Sequence, residues 1–376
     1  MLKFKEQTMF ITQMNPANQV GGATVVIDNL TSAFDKKTFT ICYLNYAKIF
    51  PAKEKKYENS FRLIPNYHII HFASLINENY SLKFAVSRAK KIVKEKNIKC
   101  IIGVYPTYKS LKIAHEVANS CNLKFIPYLH DMISETLLHT KLKEKAISLE
   151  KKIFSGSYKV LVMSKGMKEY YKKKINIETY PLEHSFPEQS IEKINYERDS
   201  TIFWGGAIQT FNKNGFKRIS NAAYQNDFEL EVTNLQTAAG LVSKSKLVNN
   251  FYPEREDYIN ALTKKGVLTS AIDWPDESVV DEGELSTIFP TRIIEYLATG
   301  SPILAHCPKH YFLAKFIIEQ NCGIVISDRN DKSLIDGFNI LLSKSISVKD
   351  MQKNAIKAAK YISLDKISNK LLEYLN

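Results

Sequence analysis

Short runs rich in β-branched and aromatic residues alternate with amphipathic stretches along almost the whole chain. In the first half the runs Thr8–Thr12, Phe39–Leu44, His68–Phe72, Cys100–Val104, Phe125–Leu129 and Val160–Met163 predict strands. Between them, Ala23–Phe34, Leu82–Glu95, Tyr108–Ala118 and Leu142–Phe154 place apolar residues at spacings of three and four, the period of a helix with one buried face. Strands alternating with helices in this way argue a parallel sheet covered on both faces, an α/β class.

The pattern then breaks. Ile177–Ser200 holds two prolines, several acids and no clean period, and reads as an interdomain linker. It restarts with predicted strands at Thr201–Trp204, Leu230–Thr233, Val267–Ser270, Ile303–His306 and Gly323–Ile326. Helical patterns at Phe216–Tyr224, Arg255–Thr263, Thr291–Ala298, Tyr311–Gln320 and Lys332–Leu342 lie between or after them. Two Rossmann-like domains are expected, 1–185 and 201–360, joined by a linker at 186–200 and facing each other across a cleft. A last amphipathic helix, 361–376, is expected to return onto the first domain. Ligands of open α/β sheets bind beyond the C-terminal ends of strands, so candidate chemistry belongs in the loops that follow them.

Composition narrows the class. A chain of 376 residues with 44% hydrophobic and 11% aromatic residues can bury two cores. No apolar run is long enough to span a bilayer, and MLKFKEQTMFITQMN lacks the features of a signal peptide. The five scattered cysteines form no CxxC pair and read as reduced thiols of a cytoplasmic protein. Net charge is +13. It concentrates in Lys141–Lys174, where eleven Lys face three Glu. That segment is either a set of solvated helix faces or a face resting on anionic lipid, which makes a peripheral position on the inner membrane face an expectation. No nucleic-acid motif accompanies the charge, so no nucleic-acid partner is expected.

The stretch FPTRIIEYLATGSPILA carries a carboxylate, Glu295, in the middle of an apolar helix. Pro290 suits the first turn, Gly300 the C-terminal cap, and Pro302 forbids continuation. Ile293, Ile294 and Leu297 share one face, and Arg292, Glu295 and Thr299 another. Arg292 and Glu295 are then either a surface ion pair, worth a few tenths of a kcal/mol, or a ligand grip. In the second case Arg292 and the helix N-terminus meet phosphate while Glu295 accepts hydrogen bonds from a sugar diol. Elsewhere, Gly21 and Gly22 follow the first strand in QVGGATVVIDNL, where a backbone can approach a ligand at a helix N-terminus. His130 and Asp131 end the apolar run FIPYLHDM, as structural residues or as site residues. No DxD and no cluster with metal-ligand spacing occurs, so no metal and no cofactor is expected.

EYLATGSPILA resembles the C-terminal signature of glycosyltransferases of the GT-B fold, especially those of family 4, in which a helix bearing Glu leads into Ala-x-Gly-x-Pro and a strand. The resemblance implies two Rossmann-like domains and transfer of a sugar from a UDP- or GDP-linked donor, without metal and with retention of configuration. The acceptor is implied to be a glycan or lipid-linked chain of bacterial surface polysaccharide. It gives Glu295 the donor ribose and His130 the position facing the reacting sugar. It assigns donor binding to Gly21, Gly22, Thr291, Arg292, the Gly205–Gly206 turn and Lys213, and the base to Tyr252 and Pro253. Two departures stand out. Thr287 occupies the place of a second Glu eight residues before Glu295, with Glu284 nearby. Gly206 and Ala207 occupy the place of an Arg, whose charge Arg292 could supply. A sugar-nucleotide epimerase of the same fold and a non-catalytic glycan-binding or assembly module are the alternatives.

Overall fold

The computed structural model describes residues 1–18, 22–44, 57–64, 78–135, 140–186, 194–238, 240–242, 247–252 and 254–376. They form two compact units, Met1–Ser185 with Leu364–Asn376, and Phe186–Ser363. The expected strand His68–Phe72 lies outside the described residues.

The first unit holds a seven-stranded parallel sheet in the order β3-β2-β1-β4-β5-β6-β7. Its strands are β1 (Thr8–Thr12), β2 (Phe39–Tyr43), β3 (Ser60–Arg62), β4 (Cys100–Tyr105), β5 (Lys124–Leu129), β6 (Leu161–Val162) and β7 (Tyr180–Pro181). All five residues of β1 are buried, as a strand covered on both faces requires. β1 is the pivot: Thr8 pairs with Phe39 on one side and with Cys100 on the other. Order therefore reverses between β1 and β4, and the crevice beyond their C-terminal ends is the switch point. There Thr107 Oγ1 donates to Gln13 Oε1 at 2.7 Å.

The second unit repeats the plan with six parallel strands, ordered β10-β9-β8-β11-β12-β13. These are β8 (Ile202–Trp204), β9 (Leu230–Val232), β10 (Leu247–Asn249), β11 (Val267–Ala271), β12 (Ile303–His306) and β13 (Gly323–Ile326). Trp204, Phe216, Leu334 and Phe338 anchor its core, all fully buried. The switch point here lies between β8 and β11.

Residues 194–200 are not a free tether. Arg198 is buried and donates to the Gly266 carbonyl at 2.8 Å. Asp199 accepts from the Gly266 amide at 2.9 Å. The amphipathic C-terminal stretch is two helices, Ile346–Tyr361 and Leu364–Leu375, and the second belongs to the first unit. Its Lys370 pairs with Glu183 at 2.7 Å.

Candidate functional site

The helix that carries Glu295 runs Thr291–Thr299, with Pro290 as N-cap and Gly300 as C-cap at φ 61°. Only a residue without Cβ takes that backbone conformation at low cost. Ile293, Ile294, Tyr296 and Leu297 are fully buried. Glu295 is 9% exposed, so it is not on a solvated face. Its partner is Arg255, not Arg292: Arg255 Nη1 donates to Glu295 Oε1 at 2.8 Å. Tyr258, one turn further along the Arg255–Leu262 helix, brings its hydroxyl to face the carboxylate. Burial raises the carboxyl's pKa, while Arg255, Tyr258 and the more distant charge of Arg292 oppose the rise. The second guanidinium nitrogen of Arg255, Nη2, is buried without a hydrogen-bond partner.

Arg292 turns to the switch point instead. Its Nη1 donates to the Gly205 carbonyl at 2.7 Å, and its guanidinium lies 4.6 Å from the centre of the Trp204 ring. The two expected glycines differ in role. The Gly205 amide donates to Tyr296 Oη at 2.9 Å, and a Cβ there would meet Tyr258 Oη at 2.5 Å. Gly206 has φ +78°, with open space where a Cβ would stand. Its amide donates to Thr233 Oγ1 at 2.7 Å. The turn therefore sits tied from three sides, beside Arg292, at the end of β8. Arg292 and the carbonyl side of the turn remain as its chemistry.

Lys213 is exposed and opens the Lys213–Gln225 helix. The N-terminus of that helix is already occupied. Asp273, in the loop after β11, accepts from the amides of Asn214 at 3.0 Å and Gly215 at 2.7 Å. A carboxylate already holds the place an anion would take. Thr291 begins its helix and is partly buried. Tyr252 is partly buried, and its hydroxyl donates to buried Glu231 at 2.6 Å. Glu231 also pairs with Lys265 at 2.7 Å. Pro253 and Gly21 lie outside the described residues, and Gly22 is the exposed first residue of the Gly22–Ser32 helix. Thr287 is buried, and its hydroxyl bonds back to the carbonyls of Gly283 at 3.1 Å and Glu284 at 3.0 Å, inside the Glu282–Thr287 helix. Glu284 is buried as well.

The first unit brings a second polar constellation to the end of β5. Both ring nitrogens of His130 are shut from solvent and lack a hydrogen-bond partner. The ring meets Tyr128 edge-on, with centroids 4.5 Å apart. Burial, with His184 nearby, drives the imidazole pKa down to about 3, so His130 is neutral at physiological pH. Asn29 Nδ2 lies 3.1 Å from His184 Nε2 and donates to the Ser185 carbonyl at 3.2 Å. That amide nitrogen is thus the donor, and Nε2 of His184 the acceptor. Burial raises the pKa of Asp131. The loop after His130 is anchored by Glu150, a buried carboxylate that takes the Ser134 amide at 3.2 Å, both Ser134 Oγ contacts at 3.0 and 3.1 Å, and Tyr171 Oη at 3.2 Å.

The basic segment is less basic at its surface than its composition implies. Lys174 turns inward to Ser134 and Glu135, and Lys168 pairs with Glu178 at 2.7 Å. Lys151, Lys152, Lys172 and Lys173 are exposed. Among the described residues no helix is long and apolar enough to cross a membrane.

Solved structures share this architecture over the whole chain. Sucrose-phosphate synthase from Thermosynechococcus elongatus superposes with a TM-score of 0.73 at 12% identity, covering 98% of each chain. Anabaena HepE in complex with UDP and glucose gives 0.71 at 13%, covering 98% of this chain and 99% of that one. A glycosyltransferase from Rickettsia africae gives 0.68 at 13%, covering 98% of each. The chain has the GT-B fold. No protein-family model matches it, and neither does any curated protein sequence. Within the GT-B fold, the Arg255–Glu295 pair was missed by sequence reasoning, because the partners are 40 residues apart. The only signal for it was an Arg in the stretch expected to meet the base.

Proposed function

We propose that this protein is a glycosyltransferase that moves a sugar from a nucleoside-diphosphate donor, UDP- or GDP-linked, to a glycan or lipid-linked acceptor. The observation that carries the reading is Glu295: a nearly buried carboxylate near the second switch point, on the helix whose Arg292 reaches the Gly205 turn. A buried carboxylate is costly unless its lone pairs are used. Arg255 uses part of its capacity, and vicinal ribose hydroxyls suit the rest. The shared fold supports the reading, since Anabaena HepE is known in complex with UDP and with UDP-glucose.

In this reading Arg292 takes the diphosphate, with Lys213 as an exposed second cation, and no metal is required. The occupied N-terminus of the Lys213 helix leaves Arg292 as the main source of positive charge. His130, neutral and unpaired in the first unit, is assigned as a hydrogen-bonding group for the reacting sugar, in a retaining transfer that serves surface polysaccharide synthesis. The protein works in the cytoplasm, peripherally on the inner membrane face through exposed lysines of 141–174.

Calorimetric titration of UDP and GDP tests this, with wild type and Glu295→Ala side by side. One nucleotide is expected to bind, and the variant to lose about tenfold, ~1.4 kcal/mol, or more. Absence of binding by both nucleotides at millimolar concentration refutes the reading. A second reading, sugar-nucleotide epimerisation, has one specific support: a candidate UDP-N-acetylglucosamine 2-epimerase from Listeria monocytogenes superposes with a TM-score of 0.58 at 14% identity. An epimerase converts its donor with no acceptor present, which separates the two.

A further inference from the structure

Arg255 presents two unequal nitrogens. Nη1 is bonded to Glu295 Oε1 at 2.8 Å. Nη2 is buried and has no acceptor. An orphan buried donor is uncommon and costs stability, so its persistence calls for an explanation. The guanidinium is held in place: it lies 5.6 Å from the centre of the Phe186 ring, and its head packs against a carboxylate that Tyr258 also faces. A carboxylate offers about four lone-pair directions. Arg255 takes one, which leaves acceptor capacity at Glu295 beside an unused donor on Arg255.

A hydroxyl group satisfies both at once, since it donates through its proton and accepts through its oxygen. We propose that Arg255 is a positioning residue for Glu295, and that a ribose hydroxyl of the bound nucleotide bridges the pair, donating to the carboxylate and accepting from Arg255 Nη2. This rests on the nucleotide-binding reading above and deepens it, because it assigns ribose recognition to two residues instead of one. Arg255 also opposes the rise that burial imposes on the Glu295 carboxyl. The other groups that face the carboxylate are Tyr258 from the Arg255–Leu262 helix, and Arg292 and Tyr296 from its own helix. An ionised carboxylate accepts from both hydroxyls of a diol, whereas a protonated one must donate. Affinity is therefore present above the carboxyl's pKa and lost as pH falls through it. Removing Arg255 moves that loss to higher pH.

The test compares UDP, 2′-deoxy-UDP and 3′-deoxy-UDP, or the guanosine set if GDP is the nucleotide that binds, on wild type, Arg255→Ala and Arg255→Lys. Wild type is expected to bind at least one deoxy analogue about tenfold more weakly than the parent nucleotide. In Arg255→Ala that ratio collapses to roughly threefold or less, and the acid limb of the binding profile shifts upward. Arg255→Lys keeps the charge and lacks the second planar N–H, so it keeps the acid limb and loses the ratio. It also serves if Arg255→Ala does not fold. A purely structural Arg255 would weaken all three nucleotides alike and leave the ratio intact, which overturns the inference. Failure of wild type to bind either parent nucleotide overturns the nucleotide reading itself and is distinguishable from that result.

Discussion

Replacing Gly205 with Ala tests the packing that holds the second switch point together. The added Cβ would stand 2.5 Å from Tyr258 Oη, 3.0 Å from Tyr296 Oη and 3.3 Å from Phe203 Cε1. Tyr296 cannot simply withdraw, because its hydroxyl is the acceptor for the Gly205 amide. Overpacking of this kind costs about 1–3 kcal/mol, and the crowded site belongs at the upper part of that range. Tyr258→Phe removes the nearest clashing atom. Combined with Gly205→Ala it is therefore expected to be more stable than the two single changes summed, with a coupling of about 1 kcal/mol or more. The chain contains two tryptophans, Trp204 and Trp274, both in the second unit. Urea unfolding followed by their fluorescence thus reports that unit without assuming that the whole chain unfolds in one step. Strict additivity of the two changes, or a Gly205→Ala protein within about 0.5 kcal/mol of wild type, would show that the turn is not packed as described.

Two further predictions use other parts of the molecule. His306 is fully buried, accepts from Arg218 Nε at 2.9 Å through Nε2, and lies 3.0 Å from the Ile326 carbonyl through Nδ1. Burial and Arg218 lower its pKa to about 4, so between about pH 6.5 and 4 the unfolded ring binds a proton that the folded ring refuses. Its contribution is complete above about pH 6.5 and is lost as pH falls through this window, up to about 3 kcal/mol; tryptophan-detected urea midpoints at pH 7 and 4.5 should fall more for wild type than for His306→Gln, and equal falls refute the assignment. For the basic segment, neutralising exposed Lys151, Lys152, Lys172 and Lys173 to Gln is expected to weaken sedimentation with vesicles containing phosphatidylserine by about 1 kcal/mol per charge close to the surface. Lys174→Gln, which changes a residue whose amine is paired with Glu135, should alter it less; unchanged binding by the fourfold variant removes the case for a lipid-facing surface.

How much of this was legible depended on sequence distance. The Thr291–Thr299 helix was readable to within a residue or two because its limits are local chemistry: Pro290 before it, Gly300 in the left-handed conformation after it, Pro302 beyond. The pivot strands β1, β4, β5, β11 and β12 were readable because a central parallel strand is apolar on both faces. Strands β3, β7 and β10 lie at sheet edges and are only partly buried, so they lack the apolar run of a central strand, and the sequence reading did not find them. The site partners were hidden for another reason. Arg255–Glu295, Asp273–Gly215 and Arg218–His306 each join residues separated by 40 to 88 positions, and no period encodes such pairs. A carboxylate in an apolar helix marks a place where something long-range must happen without naming the partner. At Glu295 the nearest candidate in sequence, Arg292, was the wrong one.

The pairing of Glu295 with Arg255 in place of Arg292 shows how the charges divide around the second switch point. If Arg292 were bound to Glu295, the helix would neutralise itself and offer a phosphate little. Because Arg255 comes from a different helix to meet Glu295, Arg292 is released to lie across Trp204 and hold the Gly205 carbonyl. An aromatic face and a carbonyl oxygen orient a guanidinium without cancelling its charge as a carboxylate would. Meanwhile Asp273 fills the N-terminus of the neighbouring Lys213 helix. Positive potential at the end of β8 is thereby concentrated in one uncancelled, oriented cation, and the carboxylate that could have quenched it is occupied by Arg255. In the reading proposed above, a diphosphate on one side and a ribose on the other would meet that separation of charge, with one arginine paired by acid and one not.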